Sequence, residues 1–144
     1  SGVFHTTQLF LPLLRASAKA RGAPARVINV GSINGVEPPS MDSFAYSSSK
    51  AGLLMLTRHL AARLAPDVLV NALIPGPFPS RMMRAVLESD GGRTARSTLL
   101  KRTGTPSDIF GAALLLAAPV AGAYMTGSSI TIDGGSLLAA SSRL

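Results

Sequence analysis

The chain contains no cysteine, so it can form neither a disulfide nor a thiolate metal site. Its two histidines, His5 and His59, stand too far apart to suggest a metal cluster, and each reads as a helix-surface residue. Acidic side chains are scarce: seven Asp and Glu stand against fourteen Lys and Arg, for a net charge of +7. Such a balance suits nucleic acid or an acidic partner. The cations are scattered over several segments, however, with no aromatic interleaving and no recognisable nucleic-acid module, so no nucleic-acid partner is expected. The sequence also lacks a long apolar run. Its nearest approach, IFGAALLLAAPVAGAYM over 109–125, is shorter than the roughly 20 residues that cross a bilayer and is broken by Pro119. It reads as a buried core helix followed by a loop, with no membrane contact expected. No charged-then-apolar stretch ending in a cleavage site is seen in the first twenty residues, which makes a cytoplasmic location the default expectation.

What is present suits one globular domain, since 144 residues with 47% hydrophobic content are enough for a real core. Residues 2–20 repeat apolar side chains at Val3, Phe4, Leu9, Phe10, Leu13 and Leu14, which predicts an amphipathic helix despite Pro12. RVINV, 26–30, suits a strand buried on both faces, and GSINGVEPPSMDS, 31–43, reads as loop. From about Ser43 to Ala65 the residues Leu53, Leu56, Leu60 and Leu64 recur at helical spacing behind Asp42 or Ser43 as N-cap. VLVNALI, 68–74, is a second buried strand broken by PGPFP. Residues 80–104 carry five arginines and a Gly-Gly pair, as a mobile helix-and-loop lid would. Thr105 as cap, Pro106 at the first helical position and Asp108 in the first turn start a further helix. SSITIDGG, 128–135, closes with a strand and a sharp turn. This alternation predicts an α/β fold, an open parallel sheet covered by helices.

The stretch that carries chemistry is YSSSK, 46–50, in the first turns of the second helix. Residues at i and i+4 share one helix face, so Tyr46 and Lys50 should address one ligand, with the lean Ser47, Ser48 and Ser49 letting it approach. A phenol is a poor proton donor or acceptor at neutral pH, and an ammonium one turn along favours its ionised form. Ser32, at the end of the first strand, could hydrogen-bond a substrate oxygen beside the phenol or could simply cap the turn. Asn29 and Asn71 read as structural, satisfying backbone groups at strand ends.

Taken together, NVGS, YSSSKAG fourteen residues beyond Ser32, VNALIPGPFPS and GTPSDI followed by AYMTGSSITIDGG resemble the short-chain dehydrogenase/reductase family over nearly the whole chain. The resemblance implies an NAD(P)-dependent oxidoreductase that moves a hydride between nicotinamide and a carbonyl or alcohol, with Ser32, Tyr46 and Lys50 catalytic. It further implies that Lys50 holds the nicotinamide ribose. Pro75 and Gly76 would let the backbone pass close to the nicotinamide, the Phe78 N–H would meet its carboxamide, and Ser80 would bind the amide or pyrophosphate. RVINVGS, PGPFPSRM and GAYMTG with IDGG look most like the rhamnolipid-type 3-oxoacyl-acyl carrier protein reductases. That points to NADP, with NAD open, and to a 3-oxoacyl thioester as substrate. Separately from the resemblance, Arg81, Arg84, Arg93, Arg96, Lys101 and Arg102 cluster around the expected lid, where they form either a solvated surface or a docking site for an acidic acyl carrier protein or a phosphorylated thioester. The resemblance also implies a homodimer or homotetramer, with Leu53, Leu56, Leu60, Leu64, Leu137 and Leu138 offering apolar surface.

The chain departs from the pattern in having Gly31 before Ser32, and in lacking the family's opening strand, Gly-rich turn and helix, together with an Asn that completes the catalytic set. Residues 1–144 are therefore expected to be the catalytic and substrate-binding part of a single Rossmann-like, doubly wound domain whose N-terminal dinucleotide-binding part is absent. The competing reading is an inactive binding or assembly module.

Overall fold

A computed structural model describes residues 2–39, 42–81 and 83–141. Ser40 and Met41 of the expected 31–43 loop, and Met82 of the expected lid, lie outside the described residues. Helix α1 spans Gly2–Arg21 and runs through Pro12, and strand β1 spans Ala25–Val30. A single 3-10 turn at Ile33–Gly35 leads toward α2, Phe44–Leu64, and strand β2, Val68–Pro75. Two short helices follow, α3 at Arg84–Ser89 and α4 at Arg93–Arg96. Helix α5 at Pro106–Ala117, strand β3 at Ser129–Ile132 and helix α6 at Ser136–Ser141 complete the order.

The three strands form one parallel sheet in the order β1-β2-β3. Ala25 to Val30 pair with Val68 to Leu73, and Ala72 to Pro75 pair with Ser129 to Ile132. β2 is central and buried along its length up to Pro75, as its continuous apolar run requires. Side chains alternate between the two faces of a strand. On one face Val68 and Val70 pack with Ala25, with Ala18 of α1 and with Leu60, Ala61 and Leu64 of α2. From the other face Arg26 donates to the carbonyls of Pro119 at 2.9 Å and Gly122 at 3.4 Å, just beyond α5. The α/β architecture expected from the sequence is thus present, with helices against both faces of a parallel sheet.

Two expectations about burial fail. Among the described residues β1 has a strand partner on one side only, and only Ala25 and Asn29 are buried in it, with Val30 54% exposed. The 109–125 run is a helix followed by turns, as expected, but the helix is not buried in the core. Helix α5 does end at Ala117, but of its residues only Leu116 is buried, and Phe110, Leu114, Val120 and Tyr124 are exposed. A sheet of three strands offers one stripe of contact to a helix, and the remaining apolar residues face outward. Among the described residues no helix is long and apolar enough to cross a membrane.

The start of α5 behaves as its sequence suggests. The Thr105 amide and hydroxyl both donate to Asp108 Oδ2 at 2.7 Å, while Arg102 grips the same carboxylate at 2.7 and 2.8 Å. The Arg102 guanidinium, then the Thr105 hydroxyl and amide, hold the Asp108 carboxyl well below its ordinary value of 3.8. A depressed folded value means that this contribution to stability is complete above the ordinary value and drains away as pH falls through it toward the folded one. Asp108→Asn should therefore lower the thermal midpoint at neutral pH, and the gap between variant and parent should close as pH falls below about 4. A gap of constant size from about pH 6 to pH 2 would show that the carboxylate charge contributes nothing.

Candidate active site

In a parallel sheet all strands end at one edge, and ligands of open α/β folds bind beyond the carboxyl ends of the strands. Ser32 follows β1 there, the PGPFPS segment begins at the last residue of β2, and Asp133, Gly134 and Gly135 follow β3.

Tyr46 and Lys50 lie in the first two turns of α2, on one face, with Lys50 Nζ 5.6 Å from the centroid of the Tyr46 ring. Lys50 Nζ also donates to Val30 O at 2.9 Å, which ties the helix to the last residue of β1, two positions before Ser32. The serines between them turn back on the helix: Ser49 Oγ donates to Tyr46 O at 2.7 Å, and the Ser43 and Ser47 hydroxyls lie 3.2 Å apart. Ser43 stands at the N-cap position without a side-chain bond to the helix backbone. The helix face beside the phenol is therefore lean, as the run of small residues suggests.

Ser32 is buried, and its Oγ accepts the Asn34 N–H at 3.2 Å, so it does cap the 3-10 turn. That bond uses a lone pair and leaves the hydroxyl proton available. Asn29 is buried and donates to Thr57 Oγ1 at 2.9 Å, a link from strand to helix rather than to backbone. Asn71 does satisfy backbone groups, donating to Met125 O and accepting from Ser128 N.

The loop after β2 packs closely against the end of β3. A Cβ on Gly76 would lie 2.6 Å from Asp133 Cα, so its missing side chain already serves the packing of β2 against the end of β3. Asp133 in turn accepts from the Gly135 and Leu137 amides at 2.9 Å. Pro77 and Pro79 have no N–H, which leaves the Phe78 amide as the sole backbone donor of that tripeptide. The Pro77 carbonyl accepts from Gly104 N at 2.9 Å. Ser80 is exposed, and its Oγ accepts from Met83 N at 3.2 Å. A hollow of about 130 Å³ beside Phe78 is closed by Leu100, Arg102 and Ile132, and a shallower one of about 440 Å³ is bordered by Ser80, Arg81 and Arg84. Neither is lined by Ser32, Tyr46 or Lys50. The structure thus gathers two groups at one sheet edge: Ser32 with Tyr46 and Lys50, and the Pro75–Ser80 loop with residues 100–108.

Sequence reading missed Gly35 and Gly104 as elements of this edge. Each is a lone glycine in a connecting segment, and what makes it matter is a neighbour distant in sequence. Among the described residues no group of acidic or His side chains could hold a metal ion.

Residues 1–136 match the family described as enoyl-(acyl carrier protein) reductase. The chain is 44% identical over 138 residues to the rhamnolipids biosynthesis 3-oxoacyl-[acyl-carrier-protein] reductase of Pseudomonas aeruginosa, covering 94% of this chain and 53% of that protein. It is 36% identical over 141 residues to the acetoacetyl-CoA reductase of Rhizobium meliloti, covering 96% of this chain and 56% of the relative. Among solved structures it resembles the Pseudomonas aeruginosa RhlG/NADP active-site complex, with a TM-score of 0.85 at 44% identity over 93% of this chain and 53% of that one. A short-chain dehydrogenase from Leptospira borgpetersenii with bound NAD+ follows at a TM-score of 0.79 and 30% identity, covering 94% and 52% of the two chains. The chain spans about half the length of the relatives it matches.

A methyl group on Gly104 would strike the Phe78 ring. Gly104→Ala should therefore lower stability in urea unfolding by about 1–3 kcal/mol, the usual cost of overpacking. The same substitution should cost less than half as much in a Phe78→Ala background. Fully additive costs would show that the two positions do not meet.

Proposed function

The chain belongs to the short-chain dehydrogenase/reductase family, and on that premise we propose that it carries the catalytic and substrate-binding part of an NAD(P)-dependent oxidoreductase acting on a carbonyl or alcohol. The observation that carries this reading is the Tyr46 and Lys50 pair, aligned on one helix face and tied through Lys50 to the end of β1 beside Ser32. The donors here suit a nicotinamide nucleoside. Lys50 uses one N–H on Val30 O and has two left for a ribose diol. The Phe78 amide has no backbone acceptor among the described residues and suits a carboxamide oxygen. Pro75 and Gly76 carry the chain to Phe78, and Ser80 retains a hydroxyl proton for the amide or a phosphate oxygen. Bound there, the nicotinamide would supply or accept the hydride.

The chain's own groups do the rest. The Ser32 hydroxyl donates to the substrate oxygen and orients it, and the Tyr46 hydroxyl gives that oxygen its proton as the carbonyl becomes an alcohol. The Lys50 ammonium stabilises the negative charge left on the phenol oxygen. NADP is favoured over NAD by the NADP complex among the similar structures, and a 3-oxoacyl thioester is favoured as substrate by the two reductases named above.

An acidic acyl carrier is the partner we favour at the lid. Arg81, Arg84, Arg93, Arg96 and Lys101 are exposed there, whereas Arg102 is engaged by Asp108. A homodimer or homotetramer is supported by apolar side chains left open on α1 and α2: Phe4, Leu9, Phe10 and Leu13, with Phe44 and Met55. The leucines expected to form that surface do not all do so. Leu56, Leu60 and Leu64 belong to or pack against the core, Leu53 is half-buried, and of the two near the C-terminus only Leu138 is exposed.

In the full-length enzyme Tyr46→Phe should cut carbonyl reduction by about 10²–10⁴-fold while nicotinamide fluorescence titration shows cofactor affinity within threefold of the parent. Lys50→Ala should impair both. Retention of most turnover by Tyr46→Phe would end the reading. The docking of a carrier has its own test: turnover of acyl-carrier thioesters should fall with added salt and with Arg81→Glu plus Arg84→Glu. Turnover of short free ketones should not. Indifference of the carrier-bound substrate to both changes would remove the docking surface.

A further inference from the structure

We propose that Gly35 is a positioning residue, whose missing side chain sets the distance of Ser32 from the helix that carries Tyr46 and Lys50. The inference rests on the oxidoreductase reading above. A Cβ at position 35 would lie 2.7 Å from Lys50 C, 2.8 Å from Ala51 N and 2.9 Å from Lys50 Cβ. Two of these are backbone atoms in the middle of a helical turn, which no rotamer change can move aside. Backbone conformation does not demand the glycine, because Gly35 is not among the glycines with positive φ. Space alone demands it.

The link from Gly35 to Ser32 is direct. The Gly35 amide donates to Ser32 O at 3.0 Å, and the Asn34 amide donates to Ser32 Oγ at 3.2 Å, so Ser32 and Gly35 are the two ends of one rigid turn. When a methyl group is forced in, either the turn or the helix must yield. Helix α2 is 21 residues long and anchored in the core by Leu60, Ala61 and Leu64, whereas no residue of the 3-10 turn is buried. The turn yields, and it carries Ser32 with it. Ordinary contact begins near 3.4 Å, so the displacement is a large fraction of an ångström. Misplacement of that order at a reacting centre costs on the order of 10²-fold in rate.

The test is a double-mutant cycle in the full-length enzyme. Gly35→Ala should lower kcat by about 10- to 100-fold, with cofactor Kd from fluorescence titration within threefold and a thermal midpoint that still reports a folded protein. In a Ser32→Ala background the same change should lower kcat less than about threefold, because the group being displaced is already gone. Gly111→Ala, at a helical glycine with nothing within 4 Å of its would-be Cβ, should alter none of these quantities. Equal losses in the Ser32 and Ser32→Ala backgrounds would overturn the proposal, as would loss of folding by Gly35→Ala or a parent-like kcat. The two readings fail separately: a Tyr46→Phe enzyme that still turns over defeats the functional assignment, whereas an inactive Tyr46→Phe enzyme with a parent-like Gly35→Ala defeats only the positioning role.

Discussion

Parallel pairing of β1 with β2 is the constraint on which everything else in the chain depends. Six residues of each strand stand in register, from Ala25 with Val68 to Val30 with Leu73. A parallel pair cannot be closed by a tight turn, so the chain must cross over through α2 and return to the same starting edge. Both strands then finish together, and Ser32 and the Pro75–Ser80 loop emerge side by side. Because the crossover begins where β1 ends, the first turns of α2, with Tyr46 and Lys50, arrive at that edge as well. The candidate site is a consequence of strand direction before it is a consequence of any side chain.

Packing turns this topology into defined distances. Two contacts press the start of α2 against the exit from β1: the Lys50 ammonium on Val30 O and the bare Cα of Gly35 on the helix backbone. On the neighbouring strand the bare Cα of Gly76 does the same against Asp133. Charge plays a local part, concentrated in Arg102 and Asp108, which join the end of the lid segment to the start of α5. Among the described residues no buried side-chain nitrogen or oxygen lacks a partner, so the interior carries no polar group waiting for a ligand.

Much of the fold was legible in the sequence where the signal is local. Strand β2 reads as a run of apolar residues because a strand covered on both faces has no polar side to show, and α5 announces itself by Thr105, Pro106 and Asp108. What was illegible depends on partners remote in the chain. RVINV has the same composition as a central strand, and its pairing on one side only, among the described residues, cannot be read from it. The leucines of α2 repeat as surface or core residues would, and only contact with Val68 and Val70 assigns Leu60 and Leu64 to the core. In the candidate site, Tyr46 and Lys50 follow from helical geometry, whereas Gly35 is one glycine in a loop until its backbone neighbours at Lys50 and Ala51 are known.

The buried bond from Asn29 to Thr57 has a consequence for how α2 can turn about its own axis. Asn29 Nδ2 donates to Thr57 Oγ1 at 2.9 Å, and that hydroxyl donates onward to Leu53 O at 2.9 Å, in a part of the molecule where Thr57 is wholly buried. Close packing of Leu60 and Leu64 already resists rotation of the helix, but such contacts carry no preferred direction. A hydrogen bond in a dry interior adds one. Turning α2 by one residue, about 100°, would strand both polar groups away from water, at roughly 1–3 kcal/mol for each. The pair therefore acts as a detent, admitting one angular setting of the helix and rejecting its neighbours. Tyr46, three turns away toward the N-terminus, inherits its bearing from that setting.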